Sequence, residues 1–173
     1  MTDYKIIFWA CDYSEQTGEG NLARKFIKVN YKKKKIKINT LKNKNFFNHK
    51  YIAPYIGILS CWKYYLKGYN VGYINFLPLW NFLVFFLLPP KTTLGPITGG
   101  ALYDKSNVLN FLIRKIIFPL FYKFSEQILN LKFKSNFIFS TDLLKQYLSK
   151  KTIQKSTFNF VIKNLTFKKK IKN

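Results

Sequence analysis

The chain has 173 residues, 48% of them hydrophobic and 19% aromatic, so it can bury a sizeable core; 8 Gly, 6 Pro and 2 Cys exclude a collagenous or broadly disordered chain and a disulfide scaffold. A formal net charge of +23 ordinarily points to a polyanionic partner. Yet 28 Lys stand against 2 Arg, which is what A/T-rich codons write on any solvated surface, whereas phosphate and base recognition leans on Arg forks, so a dedicated nucleic-acid role is disfavoured.

The first residues carry no basic stretch followed by an apolar run and a small-residue cleavage site, which predicts a cytoplasmic protein. Lys5 to Ala10 is a short unbroken apolar run, expected as a strand buried on both faces. Residues 11 to 20 hold Asp12, Glu15 and Glu19 together with Gly18 and Gly20, and are expected as a glycine loop. A helix follows from Asn21, with Leu22, Phe26 and Val29 at helical spacing. Four lysines, Lys32 to Lys35, lead into Ile36 and Ile38, which alternate with polar residues as in an edge strand. Residues 41 to 50 are expected as loop. Tyr51 to Leu66 places Ile52, Ile56, Leu59 and Leu66 at helical spacing and ends at Gly68, a C-cap candidate.

Asn70 to Phe76 reads as a strand, and Leu77 to Leu88 as a helix with Pro78 in its first turn, closed by Pro89 and Pro90. Thr92 to Gly100 is a short extended segment ending in paired glycines, and residues 108 to 129 form a long, largely apolar helical stretch. Ser135 to Asp142 is a further strand whose end offers Ser140, Thr141 or Asp142 as a cap for Leu143 to Leu148. Phe158 to Ile162 is expected as the last strand, before a lysine-rich tail. Strands alternating with helices at this spacing predict an α/β fold with a parallel sheet and helices on both faces. No repeat or linker divides the chain, so one domain over 1–173 is expected, its core over 1–160 and a basic tail or the start of a linker over 161–173.

Four features bear on function. Cys11 and Cys61 lie fifty apart and His49 is the sole histidine, so neither a zinc site nor a Cys/His nucleophile assembles. The segment Thr17 to Arg24 has glycines that admit a ligand close to the backbone and a helix start that presents N–H groups to oxygen-rich chemistry; alternatively those glycines only make a turn. Asp12, Glu15 and Glu19 supply carboxylates for an acid/base pair, or are solvated acids stabilised by the helix dipole. Val71 to Leu88 approaches the length of a membrane span, but Asn75, Pro78 and Asn81 favour a strand followed by a buried helix. Leu109 to Phe124, with Arg114, Lys115 and Lys123, suits either an anionic bilayer surface or a core helix with snorkelling cations.

The order of parts, with Gly18-Glu19-Gly20 opening a helix at Leu22-Ala23-Arg24, then Leu94-Gly-Pro-Ile-Thr-Gly-Gly100, a long helix and Phe137-Ile-Phe-Ser-Thr141, resembles the N-terminal half of GT-B-fold glycosyltransferases, especially the retaining family 4 (group 1). The resemblance implies a Rossmann-like, acceptor-side domain. Thr17, Gly18, Glu19, Gly20, Asn21, Thr98, Gly99 and Gly100 would contact substrate, with no catalytic residue and no metal assigned. It also implies a glycan or lipid-linked acceptor, action in glycan or cell-envelope polysaccharide synthesis and placement at the inner face of the membrane. Two departures stand out: no histidine lies near Thr98 to Gly100, and Glu15, Glu19 and Glu126 are the only glutamates, so the family's donor-binding pair eight positions apart is missing. The chain thus resembles a truncated or split enzyme, inactive alone, whose nucleotide-sugar donor would be held by a separate chain. The alternative is a non-enzymatic basic module on an anionic membrane or nucleic acid, testable by its salt dependence.

Overall fold

Ile6–Trp9 forms strand β1 because both faces of this apolar run find cover. Phe8 and Ala10 enter one hydrophobic cluster, and Trp9 and Cys11 enter another on the opposite side. The computed structural model describes residues 6–32, 34–40, 49–99, 113–133 and 136–160. Within them, β2 (Ile36–Asn39), β3 (Asn70–Tyr73) and β4 (Thr93–Leu94) join β1 in a parallel sheet of order β2-β1-β3-β4. The lysine-flanked strand β2 is at the edge, as its alternation predicts. A second parallel pair, β5 (Phe137–Ile138) and β6 (Ser156–Thr157), continues beyond β4 through a bridge between Ile97 and Phe139. The fold is α/β and Rossmann-like, with helices on both faces of the parallel sheet.

Helix α1 (Gly18–Asn30) covers one face, burying Ala23, Phe26 and Ile27 against Phe8 and Ile74. Phe8 also lies over Gly72, where a Cβ would collide with the ring. The other face is closed by α2 (His49–Tyr65), α3 (Phe82–Leu87) and α4 (Phe118–Lys132), with α3 packed between the other two. A π-helical segment, Ile113–Ile117, leads into α4. A 3-10 turn (Leu143–Tyr147) and α5 (Lys150–Gln154) complete the described elements.

Several boundaries differ from expectation. The Gly18-Glu19-Gly20 segment is not a loop but the first turn of α1, because Thr17 already caps the helix: its hydroxyl accepts the Gly20 N–H at 3.0 Å. In α2 the expected core positions are largely outside, Leu59 at 70% and Leu66 at 76% exposure, and the helix instead faces the sheet with Ala53, Gly57, Ile58 and Cys61. The reason is steric. A Cβ on Gly57 would lie 2.8 Å from the Tyr73 ring and closer still to the Trp9 indole, so only a stripe of mostly small residues fits. The C-cap at Gly68 is as expected, with φ +80.

Pro78 is not in the first turn of a helix. The chain stays extended there, with Thr98 N donating to Leu77 O at 2.9 Å and Leu79 N to Thr98 O at 2.8 Å, and α3 starts only at Phe82. Of the three caps offered after β5, Asp142 takes the N-cap position but makes no side-chain cap bond, while the Thr141 hydroxyl accepts from Leu143 N at 3.3 Å in a local turn. The last strand among the described residues is Ser156–Thr157; of the expected Phe158 to Ile162, Asn159 turns left-handed (φ 58) between the buried Phe158 and Phe160, and residues 161–162 lie outside the described residues. Residues 161–173, the loop 41–48, Gly100 and the start of the 108–129 stretch lie outside the described residues. No helix among those described is long and apolar enough to cross a membrane; residues 71–88 are a strand, an extended segment and a six-residue helix.

Candidate functional site

The chain leaves β1 toward β2 on one side and returns to β3 on the other, so the connections diverge at the carboxyl ends of β1 and β3, where open α/β sheets bind ligands. Two segments meet there: Cys11 to Thr17, running from β1 into α1, and Ile74 to Leu77 after β3. Their junction is held by Asn75, a fully buried amide inside an apolar run. Its Oδ1 accepts the Cys11 N–H at 3.0 Å, and its Nδ2 donates to Asp12 O at 2.5 Å and Glu19 O at 3.3 Å. All three bonds go to backbone, which ties the end of β3 to the loop and to the first turn of α1.

Asp12 organises the loop. Its carboxylate accepts the Ser14 N–H at 2.9 Å and the Thr17 hydroxyl at 2.5 Å. Since the single Thr17 hydroxyl proton goes to Asp12, the Ser14 hydroxyl, 3.1 Å from Thr17 Oγ1, is the donor of that pair. Asn21 Nδ2 donates to Glu15 O at 2.9 Å, and Arg24 Nε to Tyr13 O at 2.8 Å. The Arg24–Glu15 ion pair, 2.7 Å long, is exposed and contributes little.

Glu19 differs from the other acids of the loop. Burial pushes its carboxyl above the usual range; a hydrogen bond from the Phe76 backbone partly opposes that shift, and the neighbouring charge of Asp12 adds to it. Its Oε2 is buried with no hydrogen-bond partner among the described residues. The donor facing it belongs to a strained residue: Phe76 has φ 54, a left-handed conformation that costs a bulky side chain about 1–3 kcal/mol and that gathers at functional sites. Glu19 is thus the carboxyl at the switch point with bonding capacity left over.

The residues expected to bind substrate divide sharply. Thr17, Glu19, Gly20 and Asn21 all belong to the cluster around Asp12 and Asn75, and three of them are consumed in building it. Thr17 caps the helix, Asn21 pins Glu15, and Gly20 is small because a Cβ would lie 2.6 Å from the Ser14 nitrogen and closer to its oxygen. Gly18 faces open space. Thr98 and Gly99 belong to the neighbouring strand extension, where Thr98 pairs with Leu77 and Leu79, and Gly99 O accepts the buried Tyr122 hydroxyl at 3.1 Å. Gly100 lies outside the described residues.

Asn75 was not among the expected site residues. Its signal was legible: an amide at the end of the apolar run Val71 to Leu77 demands buried partners. Neither cysteine is a reactive thiol. Burial raises Cys11 despite its hydrogen bonds with the Tyr73 hydroxyl and from the Trp9 indole, and burial followed by the nearby Cys11 pushes Cys61 up to about 12. Among the described residues no group of three His, Cys, Asp or Glu side chains is placed to hold a metal ion. Set against known protein families, curated proteins and solved structures, the chain matches none.

Proposed function

We propose that the chain is the acceptor-binding, Rossmann-like half of a nucleotide-sugar-dependent glycosyltransferase, with its acceptor at the β1/β3 switch point. The observation that carries this reading is the Glu19 carboxyl, which holds an unpartnered oxygen beside the strained Phe76 at the place where α/β sheets take ligands. The unpartnered oxygen can accept a hydrogen bond from a sugar hydroxyl. Gly18, with open space where a side chain would stand, leaves room for the acceptor to approach the first turn of α1. The nucleotide-sugar would be held by a second half outside these 173 residues, because Glu15, Glu19 and Glu126 offer no donor-binding pair. A glycan or lipid-linked acceptor would bring the chain to the inner face of a membrane, in glycan or cell-envelope polysaccharide synthesis.

Saturation-transfer NMR with a panel of neutral disaccharides, run beside a nucleotide-sugar, tests the assignment. A disaccharide signal that is lost in Glu19→Ala, with no signal from the nucleotide-sugar, is the expected result. Absence of any saccharide signal, or a signal unchanged in Glu19→Ala, overturns it.

A further inference from the structure

We infer that the outer surface of the α2–α3–α4 layer is a docking face for an anionic lipid bilayer. On α4, Leu120, Phe124 and Leu131 are at least half exposed at a spacing that puts them on one stripe, and Phe86 on α3 and Leu59 on α2 extend the apolar surface across the layer. The three helices form one surface rather than separate patches. Trp62 of α2 donates to Leu87 O at 2.7 Å, the Phe82 ring of α3 lies tilted against Phe121 with centroids 5.2 Å apart, and Lys132 bonds to Phe86 O. Monomeric proteins rarely leave so many neighbouring large apolar side chains in water without a partner.

Charge selects the partner. The acids among the described residues are Asp12, Glu15, Glu19, Glu126 and Asp142; α2 and α3 contain none, and the single acid of α4, Glu126, is turned inward to accept both the backbone N–H and the hydroxyl of Ser149. The exposed charges of the layer are lysines, among them Lys63 and Lys123, whose ammonium groups would meet phosphate headgroups. This inference rests on the peripheral placement proposed above, not on the sugar chemistry.

The test is co-sedimentation of the full chain with vesicles of phosphatidylcholine alone, and of equal parts phosphatidylcholine and phosphatidylglycerol. Binding to the mixed vesicles only, weakened as salt is raised, is expected. The double variant Leu120→Ser with Phe124→Ser should lower partitioning about tenfold or more while far-UV circular dichroism is unchanged. Lys123→Glu should weaken binding to the mixed vesicles by a smaller factor. Equal binding to neutral vesicles, no binding to either, or no effect of the double variant overturns the assignment. So does a dimer in sedimentation velocity that the double variant abolishes, which would make a second copy the occupant. Intact saccharide binding in the double variant keeps the two readings separate; vesicle binding without saccharide binding defeats only the sugar reading.

Discussion

Among the described residues the sheet is closed by one helix on one face and by three on the other, and the two solutions treat apolar side chains in opposite ways. Helix α1 turns Ala23, Phe26 and Ile27 inward and leaves Val29 as its one large exposed apolar residue. The α2–α3–α4 layer buries more, yet shows water a second set of large apolar residues on its outside. An ordinary amphipathic helix needs one apolar stripe for folding. A second stripe on the opposite side does nothing for the described core, and it is the surface that the proposed bilayer docking would use.

The sharpest break of that comparison is to truncate one phenylalanine on each side. Phe26 is 2% exposed and packs edge-on against Phe8 and against Phe160, so Phe26→Ala should lower stability by about 3–5 kcal/mol in urea unfolding. Phe124 is 55% exposed, and Phe124→Ala should fall within about 0.5 kcal/mol of the parent protein. Equal losses would mean that the outer stripe is part of the core.

A pair of glycines makes the next contrast. Gly57→Ala forces a methyl group between Trp9 and Tyr73 and should cost about 1–3 kcal/mol. Gly18→Ala meets nothing within 4 Å and should stabilise the protein by about 0.4–1 kcal/mol, read as opposite shifts of the thermal midpoint. Thr17→Ala removes the cap of α1 and should cost about 1 kcal/mol; a loss near zero would show that Asp12 and Asn75 hold the helix start without it.

The smallest effect is the pH dependence of Glu19. Its carboxyl is raised in the folded state, so above the ordinary value of 4.5 the folded protein retains a proton that the unfolded chain has released. Its contribution therefore declines as pH rises from 4.5 through the raised folded value and is lost above it. Urea midpoints measured from pH 4.5 to neutrality should fall less steeply in Glu19→Gln than in the parent, and parallel profiles would show that the carboxyl is solvated.

Much of the framework was legible because it rests on local pattern. The unbroken apolar run at Ile6 to Trp9 has to be buried on both sides, and the alternation at Ile36 and Ile38 marks an edge. Gly68 closes α2 as a left-handed cap, a role few other residues fill. The inward face of α2 was not legible, because spacing points to the largest residues while the sheet admits mostly small ones beside Trp9 and Tyr73. At the switch point, the glycines and acids after β1 marked the right neighbourhood. Their roles were not readable, since Thr17, Gly20 and Asn21 acquire partners only when α1 packs beside the loop.

By itself the sequence determined the alternation of strands and helices, the parallel sheet that follows from it, and a surface whose charge is overwhelmingly cationic. Those depend on composition and on neighbours a few residues apart. Only the tertiary structure decided that Asn75 joins β1, β3 and α1 across more than fifty residues, and that Glu19 keeps an unpartnered oxygen beside Phe76. It also decided which apolar residues of α2, α3 and α4 met the core and which were left to water. The physical reason is common to all three: desolvation and close packing act between groups that only the folded chain brings into contact.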